Sequence, residues 1–339
     1  TVIMFSGCST TEQNLAIGEE KTLETGKTEQ ESVTEKDINM NEKESFNAES
    51  NINDVIHDSA FDDYGRLIFP VDMEIEDNLK LKDVSSILPW YSEVNTDKTV
   101  EIVNYMKNQA MNGEQIFYPI YSEEEMQADA DKKDTGLFFF RGNAGAKTTI
   151  INAGGGFVYV AGIHDSFPHA LELSKKGHNA FALIYRPGAQ TACEDLARAI
   201  AFLHENAEQL QIDMTDYSLW GGSAGARMAA WLGSYGTAYF GEKDYPAPAA
   251  VIMQYTGLSQ VTGMEPPTYA CVGTSDGIAS YRSMENYISQ IQQNGPNTKI
   301  EVFKGLSHGF GLGEGTVAEG WIDCAISFWE DNMNALDKR

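Results

Sequence analysis

A serine flanked by glycines stands between a strand-like and a helix-like segment. The pentapeptide from Gly221 to Gly225 has the form Gly-x-Ser-x-Gly, with Ser223 at its centre. An apolar run precedes it and helix-forming residues follow. Small residues at both ends permit the tight, strained turn that holds a serine side chain above a sheet. The pattern predicts a nucleophile at Ser223, although a glycine-rich turn that only packs tightly would look the same.

A reactive serine needs a base and a group that orients the base. An imidazole must take the hydroxyl proton, and a carboxylate must hold that imidazole in one tautomer. Of the six histidines, only His308 combines a loop after a predicted strand with glycine neighbours near the chain end. Asp276 also follows a predicted strand, and the order Ser, Asp, His leaves room for further elements between them. We predict His308 as base and Asp276 as acid, with Asp244 and Asp323 as rivals for the acid.

Three consecutive glycines follow an earlier strand-like run, in the string Ile150-Ile-Asn-Ala-Gly-Gly-Gly-Phe. By itself such a run is as typical of a flexible turn as of a site. This run, however, follows an early strand and lies upstream of the serine turn, where backbone amides that stabilise an oxyanion are expected. We predict oxyanion donors at Gly155, Gly156 and Ala224, the last at the start of the helix after the serine. His164 and His169, which come soon after this loop, are candidates for lining the site entrance.

The elements that must position these residues alternate along the chain. Short runs rich in Ile, Val, Phe and Ala predict strands, and amphipathic segments between most of the later runs predict helices. The sheet should therefore be largely parallel and covered on both faces, with an antiparallel lead-in and the site at the strands' carboxyl ends. The predicted strands are 115–121, 136–141, 148–153, 180–185, 217–220, 249–255, 268–272 and 299–303; the predicted helices are 97–111, 167–176, 193–210, 224–234, 278–294 and 317–333.

Composition narrows the partners that the protein can have. A chain of 339 residues can hold one large α/β domain or two smaller ones. Its net charge of −26 should repel nucleic acid and anionic lipid headgroups, so we expect no nucleic-acid partner. The four cysteines show no Cys-x-x-Cys spacing, which argues against a zinc site or a redox pair. No metal or cofactor is predicted, and serine chemistry needs none.

The N-terminal region has the pattern of a tethered protein. Its first eight residues, Thr-Val-Ile-Met-Phe-Ser-Gly-Cys, resemble the tail of a bacterial lipoprotein signal, which would leave Cys8 as a lipidated N-terminus. The alternative is an ordinary N-terminus with a stray cysteine. Residues 9–58 hold 13 Asp and Glu against 4 Lys and Arg, and only one aromatic residue. This composition predicts an acidic disordered linker.

The remaining chain divides into an extension and a catalytic domain. Residues 59–114 are expected to pack as an N-terminal extension on a domain that spans 115–339. Together with the signal-like start, this organisation predicts an extracytoplasmic location, either anchored to a bacterial membrane through lipid on Cys8 or secreted.

Several strings carry a family resemblance over residues 136–330. They are the Gly-Gly-Gly-Phe loop, Leu183-Ile-Tyr-Arg with the helix around Asp195, Gly-Gly-Ser-Ala-Gly, Val-Gly-Thr-Ser-Asp and Ser-His-Gly-Phe. The segment resembles the carboxylesterase branch of the α/β-hydrolases, which includes hormone-sensitive-lipase-like enzymes and bacterial acetyl and feruloyl esterases. Two positions depart from it, since Ala153 and Gly222 stand where the family often has His and Asp.

The resemblance implies an α/β-hydrolase fold and a serine carboxylic-ester hydrolase that forms an acyl-Ser223 intermediate. The two departures favour the polysaccharide-esterase relatives, so the implied substrates are small acyl esters such as acetyl or feruloyl groups of polysaccharides. One alternative is a serine peptidase of the prolyl-oligopeptidase type, although the region before residue 115 is too short for a propeller. Another is a non-catalytic tethered binding protein with a hydrolase fold.

Overall fold

A single eight-stranded sheet organises the part of the chain that the computed structural model describes, residues 45–333. Numbered along the chain, the strands lie in the order β1-β2-β4-β3-β5-β6-β7-β8. The β1–β2 and β2–β4 pairs are antiparallel, and every other pair is parallel. The strands are β1 Phe117–Tyr118, β2 Gly136–Phe140, β3 Lys147–Asn152, β4 Asn179–Ile184, β5 Asp213–Gly222, β6 Ala250–Gln254, β7 Thr268–Gly273 and β8 Thr298–Phe303.

Helices connect most of these strands and cover the sheet. The α-helices among residues 45–333 are α1 Ile52–Ile56, α2 Thr96–Met111, α3 Glu123–Ala128, α4 Gly162–Asp165, α5 Phe167–Lys175, α6 Ala189–Glu205, α7 Ala207–Leu210, α8 Ala224–Tyr235, α9 Tyr281–Gln293 and α10 Trp321–Asn332. Short 3₁₀ segments lie at Asp62–Ile68, Leu81–Ile87, Ala130–Asp134 and Thr237–Phe240.

The handedness of the crossovers decides which face each helix covers. The chain moves from β3 to β4 in one direction across the sheet and then returns past β3 to β5 and onward to β8. Because parallel crossovers are right-handed, α5 must lie on one face and α6, α8 and α9 on the other. The ring of His169 on α5 lies 5.6 Å from that of Trp321 on α10. Thus α10 covers the same face as α5, and both faces of the sheet are buried.

Strand register places the loops after β3, β5 and β6 side by side. Asn152 at the end of β3 pairs with Gly221, and Gly222 pairs with Gln254 at the end of β6. The backbone amide of Ser223 then donates to the carbonyl of Gln254, at 2.9 Å. The turn after β5 therefore lies between the glycine loop and the loop after β6.

The N-terminal segment, residues 45–114, is held to the helices that cover the sheet by ion pairs as well as apolar contacts. On α2, Ile102, Val103 and Met106 are buried. The Lys98 ammonium lies 3.3 Å from the Glu172 carboxylate of α5. These contacts fasten the segment to the covering layer.

The folded part begins earlier than composition predicts. The linker expected over residues 9–58 is wrong at its C-terminal end, because Ile52 and Val55 in α1 are completely buried. These residues stand three apart on one face of a helix that is capped by the Asn51 side chain. An average over fifty mostly polar residues does not reveal so short an apolar face. Cys8 and the rest of the predicted linker lie outside the described residues.

The eight predicted strands are all present, and the differences from the predicted helices have local causes. The predicted 193–210 helix begins at Ala189 and is interrupted at Asn206. The predicted 278–294 helix begins only at Tyr281, because the amides before it bind a side chain described below. Gly320, in the left-handed region at φ 84°, delays the start of α10 from the predicted residue 317. No helix within residues 45–333 is long and apolar enough to span a bilayer.

The buried face of α1 supplies a test that the N-terminal segment belongs to the fold. Replacement Ile52→Ala should lower the free energy of unfolding by about 2–5 kcal/mol, since it leaves a cavity in a fully buried site. Val71→Ala, at a position that is 38% exposed, should change it by less than about 0.5 kcal/mol. Urea denaturation of the two variants measures both effects. Equal, small changes would show that α1 does not contribute to stability.

Candidate functional site

The turn from β5 into α8 is strained at the serine. Ser223 has φ 50° and ψ −117°, a conformation that side-chain-bearing residues rarely adopt. The turn also passes very close to neighbouring backbone. A Cβ atom on Gly225 would lie 1.9 Å from the carbonyl oxygen of Asn152, and one on Gly221 would lie 2.3 Å from the carbonyl carbon of Gly225. Only glycine fits at these two positions, as the pentapeptide predicted.

Ser223, His308 and Asp276 form a continuous hydrogen-bonded chain. The Ser223 hydroxyl lies 3.1 Å from Nε2 of His308, and Nδ1 of His308 lies 2.8 Å from Oδ2 of Asp276. A carboxylate can only accept, so Nδ1 carries the proton and Nε2 is free to accept from the serine. The imidazole is buried, and an edge-to-face contact with the Tyr255 ring, 5.0 Å between centroids, fixes its plane.

The Asp276 carboxylate is held from both sides. Its Oδ1 accepts from the backbone amides of Ile278 and Ala279, at 2.8 and 2.7 Å. These two bonds delay the start of α9 and leave Oδ2 for the imidazole. The rival acids lie elsewhere, because Asp323 pairs with Lys176 and Asp244 lies near Gly236 at the far end of α8.

The glycine loop lies directly against the serine. A Cβ atom on Gly154 would be 2.8 Å from the Cβ of Ser223. The Gly154 amide already donates to Asp165, at 2.7 Å, whereas those of Gly155 and Gly156 have no partner among residues 45–333. The amide of Ala224, as the first residue of α8, has no acceptor within the helix. Three free amides therefore stand in the loop and turn that adjoin Ser223.

A buried carboxylate that the motifs did not indicate lies beneath this loop. Asp165, at the end of α4, is 1% exposed and accepts from the Gly154 amide and from the hydroxyls of Tyr91 and Tyr255. Its oxygens lie 2.4 Å from the place where a Cβ on Gly222 would stand. The position that lacks the family's acidic residue is thus filled by a carboxylate from another element.

The two histidines after the glycine loop are core residues, so the expectation that they line the entrance is wrong. Nε2 of His164 donates to the carbonyl of Gly309, at 2.9 Å, behind the loop that carries His308. His169 is 1% exposed and packs against Trp321. Burial lowers the pKa of both imidazoles, that of His169 to about 3, so both are neutral at physiological pH.

The N-terminal segment contacts the histidine loop, which is the loop between β8 and α10 that carries His308. The hydroxyl of Ser92 donates to the carbonyl of His308, at 2.8 Å, and its amide donates to that of Gly309, at 3.2 Å. Two residues before Ser92, Trp90 has φ 75° and is 51% exposed. Its ring stacks on Tyr159, with 5.8 Å between centroids. A segment more than two hundred residues away in sequence therefore borders the site.

Sequence reasoning missed Asp165, Tyr91, Tyr255 and Trp90 for different reasons. Tyr255 follows β6 at the sheet edge where the site was expected, which is a usable signal. Asp165 and Tyr91 are 74 residues apart and carry no motif, so only the folded chain brings them together. Within residues 45–333 there is no group of three or more His, Cys, Asp and Glu arranged to hold a metal ion.

Residues 141–264 match the family model described as BD-FAE. The matched range contains the glycine loop and Ser223 but ends before Asp276 and His308. The contacts of the folded chain, and not the family match, therefore join these two residues to the serine. No curated protein matches the chain.

Solved esterase structures share the architecture. Apo esterase 2 of Thermogutta terrifontis has 18% identity and a TM-score of 0.53, over 63% of this chain and 93% of that one. The same esterase phosphoramylated by tabun has 17% identity and a TM-score of 0.54, with the same coverage of both chains. The acetyl ester-xyloside bifunctional hydrolase of Caldicellulosiruptor lactoaceticus has 19% identity and a TM-score of 0.56, over 63% and 95%. At such identities the likeness shows the fold. The chain therefore has the α/β-hydrolase fold of these solved esterases, and its residues 141–264 match the BD-FAE family model.

Proposed function

We propose that the protein hydrolyses small acyl esters of carbohydrates through an acyl-Ser223 intermediate. The observation that carries the proposal is the chain of contacts from the serine hydroxyl through His308 to Asp276, with distances of 3.1 and 2.8 Å. A base within hydrogen-bonding reach of the nucleophile, itself oriented by a third group, is the arrangement that activates a serine.

In the acylation step the Ser223 oxygen attacks the ester carbonyl while Nε2 of His308 takes its proton. Negative charge then develops on the carbonyl oxygen, where the free amides of the glycine loop and of Ala224 can donate to it. His308 next gives its proton to the departing alcohol oxygen. The Asp276 carboxylate keeps Nδ1 protonated throughout and stabilises the imidazolium that forms.

Deacylation repeats these steps with water. Nε2 of His308 takes a proton from a water molecule, which attacks the acyl carbon, and the proton returns to the Ser223 oxygen as the acid leaves. The same three amides stabilise the second oxyanion. The chemistry requires no group beyond the side chains and amides already described.

The surroundings of Trp90 support a carbohydrate as the alcohol part. Atom Cζ3 of its ring lies 3.1 Å from the place of a Cβ on Gly156, and its carbonyl oxygen lies 3.0 Å from the place of a Cβ on Gly309. Trp90 therefore borders the glycine loop with its indole and the histidine loop with its backbone. Because His308 must protonate the departing alcohol, that part of the substrate lies on the histidine side. A half-exposed indole offers a flat apolar surface on which the C–H face of a sugar ring can pack.

The nucleophile is tested by Ser223→Ala with p-nitrophenyl acetate and with acetylated and feruloylated xylan. Turnover should fall at least about 10³-fold, because among residues 45–333 no hydroxyl besides that of Ser223 is hydrogen-bonded to Nε2 of His308. Ser234→Ala, near the other end of α8, is the matched control and should keep wild-type turnover. Equal turnover by the wild type and Ser223→Ala would contradict the mechanism. Wild-type cleavage of prolyl peptides but not esters would favour a peptidase, and no reaction with any substrate would favour a binding protein.

The fit between the glycine loop and the serine is tested by Gly154→Ala. The added methyl group would lie 2.8 Å from the Cβ of Ser223 and 2.7 Å from the carbonyl oxygen of Gly222. We expect kcat to fall about 100-fold, because a shift of about 1 Å in the reacting groups is enough for such a loss. A Cβ on Gly277, beside Asp276, would have no atom of the described residues within 4 Å apart from those of its two chain neighbours. Gly277→Ala should therefore retain kcat within about twofold, and equal losses in both variants would argue against the fit.

The role of Trp90 is tested by comparing two esters that differ in the alcohol part. Trp90→Ala should lower kcat/KM about three- to tenfold on acetylated xylan and less than twofold on methyl acetate, which has no ring to stack. Proton release in a pH-stat measures both reactions. Tyr239→Ala removes an aromatic ring that is 66% exposed, beyond the far end of α8, and should change neither value. Equal losses on both esters would mean that Trp90 only supports the loops.

A further inference from the structure

We propose that Asp165 is a positioning residue, whose carboxylate holds the glycine loop, the serine turn and the histidine loop in the arrangement that the reaction needs. The inference rests on the proposed Ser223 mechanism. Asp165 forms no hydrogen bond with the side chains of Ser223 or His308, so it acts through the groups that its carboxylate binds.

The donors to this carboxylate come from three separate parts of the chain. Oδ2 accepts from the Gly154 amide, at 2.7 Å, and from the Tyr91 hydroxyl, at 2.8 Å. Oδ1 accepts from the Tyr255 hydroxyl. Gly154 follows β3, Tyr255 follows β6, and Tyr91 belongs to the N-terminal segment. One side chain thus binds the glycine loop, the loop after β6 and the N-terminal segment at the same time.

The contact with Gly154 orients the predicted oxyanion donors. Since Oδ2 takes the Gly154 amide, that N–H points down toward Asp165 and away from the substrate side. The next two residues turn sharply, with φ 126° at Gly155 and 64° at Gly156, and their amides are the ones left without a partner. Moving the Gly154 amide would rotate the peptide groups that follow it.

The serine turn rests on the same carboxylate. A Cβ on Gly222 would lie 2.4 Å from both oxygens and 2.7 Å from Cγ of Asp165. The backbone at Gly222 is therefore in close contact with a carboxyl group that three donors hold in place. This contact limits how far the strained turn at Ser223 can relax toward the interior.

The two tyrosines extend the connection to the histidine loop. The Tyr255 oxygen also accepts from the amide of Gly311, at 3.3 Å, and the Tyr255 ring packs on His308. Tyr91 precedes Ser92, which donates twice to the backbone of that loop. Asp165 thus reaches the base by two routes.

The carboxylate form is needed because every partner must be able to donate at once. Asparagine has one accepting oxygen, whereas three donors converge here. Its amide nitrogen would face the Tyr255 hydroxyl or the Gly154 amide, and one N–H or O–H would be left unpaired in a buried site. Burial raises the pKa of Asp165, and the three hydrogen bonds oppose that rise. Among residues 45–333 no Lys or Arg forms an ion pair with it, so neutral donors supply the hydrogen bonds that compensate its desolvation.

The experiment is active-site titration of Asp165→Asn with paraoxon, whose phosphorus the serine attacks with release of one p-nitrophenolate. The amplitude counts folded, competent sites, and the second-order rate constant reports how well the reacting groups are placed. We expect the rate constant to fall about 10- to 100-fold at 25 °C with an amplitude near one per chain. Tyr91→Phe and Tyr255→Phe, each removing one donor, should give smaller losses of rate and remain informative if Asp165→Asn does not fold.

The matched control is Asp216→Asn. Asp216 is a largely buried carboxylate near the start of β5, at the end of the strand opposite to Ser223. It lies 3.4 Å from the Lys147 ammonium. Its rate constant should stay within twofold of wild type. A wild-type rate constant in Asp165→Asn and in both tyrosine variants, whether or not the amplitude falls, would overturn the proposal by leaving Asp165 a purely structural role. Failure of the Ser223 mechanism is a separate result, in which the wild type releases no p-nitrophenolate or the phosphorus is found on another residue.

Discussion

The close approach of the serine turn to β3 is the constraint on which the rest of the site depends. The backbone at Gly225 passes so near the Asn152 carbonyl that a methyl group would stand 1.9 Å from it. This contact requires adjacent, parallel β3 and β5 that end at the same level, which the pairing of Asn152 with Gly221 provides. Because the ends of β3 and β5 are paired, the glycine loop that follows β3 must lie beside Ser223, which follows β5. The sheet order thus produces the neighbourhood of nucleophile and free amides.

Two buried carboxylates serve this neighbourhood in different ways. Asp276 is bound by two backbone amides and an imidazole, so one of its oxygens is committed to a partner that changes charge during the reaction. Asp165 is bound only by groups that stay neutral, an amide and two phenols. The first carboxylate therefore compensates a charge that appears on His308. The second holds the loops that bind it in the same positions while that charge appears. It does so in a protein whose net charge is −26.

The parts of the fold that depend on local pattern could be predicted, and those that depend on tertiary contact could not. Apolar runs predicted all eight strands, and six of these, β2 to β7, are mostly buried on both faces. The order of Ser223, Asp276 and His308 on strand ends predicted three side chains that the structure brings together. The boundary at residue 58 failed because only the folded surface tells whether Ile52 and Val55 find apolar partners. Asp165 escaped notice for a related reason: an aspartate in a short helix has no sequence signature until its three donors converge on it.

Contacts between the N-terminal segment and the histidine loop also bear on when the site comes into being. The bond from Ser92 to His308 closes a loop of 216 residues, and the one from Tyr91 to Asp165 closes a loop of 74. Contacts of such long range form late, because the entropy of the intervening chain must be lost first. During synthesis, Ser223 leaves the ribosome 85 residues before its base, His308. The Ser223 hydroxyl therefore has no base to activate it until β8, the last strand, has joined the sheet. Its reactivity appears only in a chain whose core has already formed.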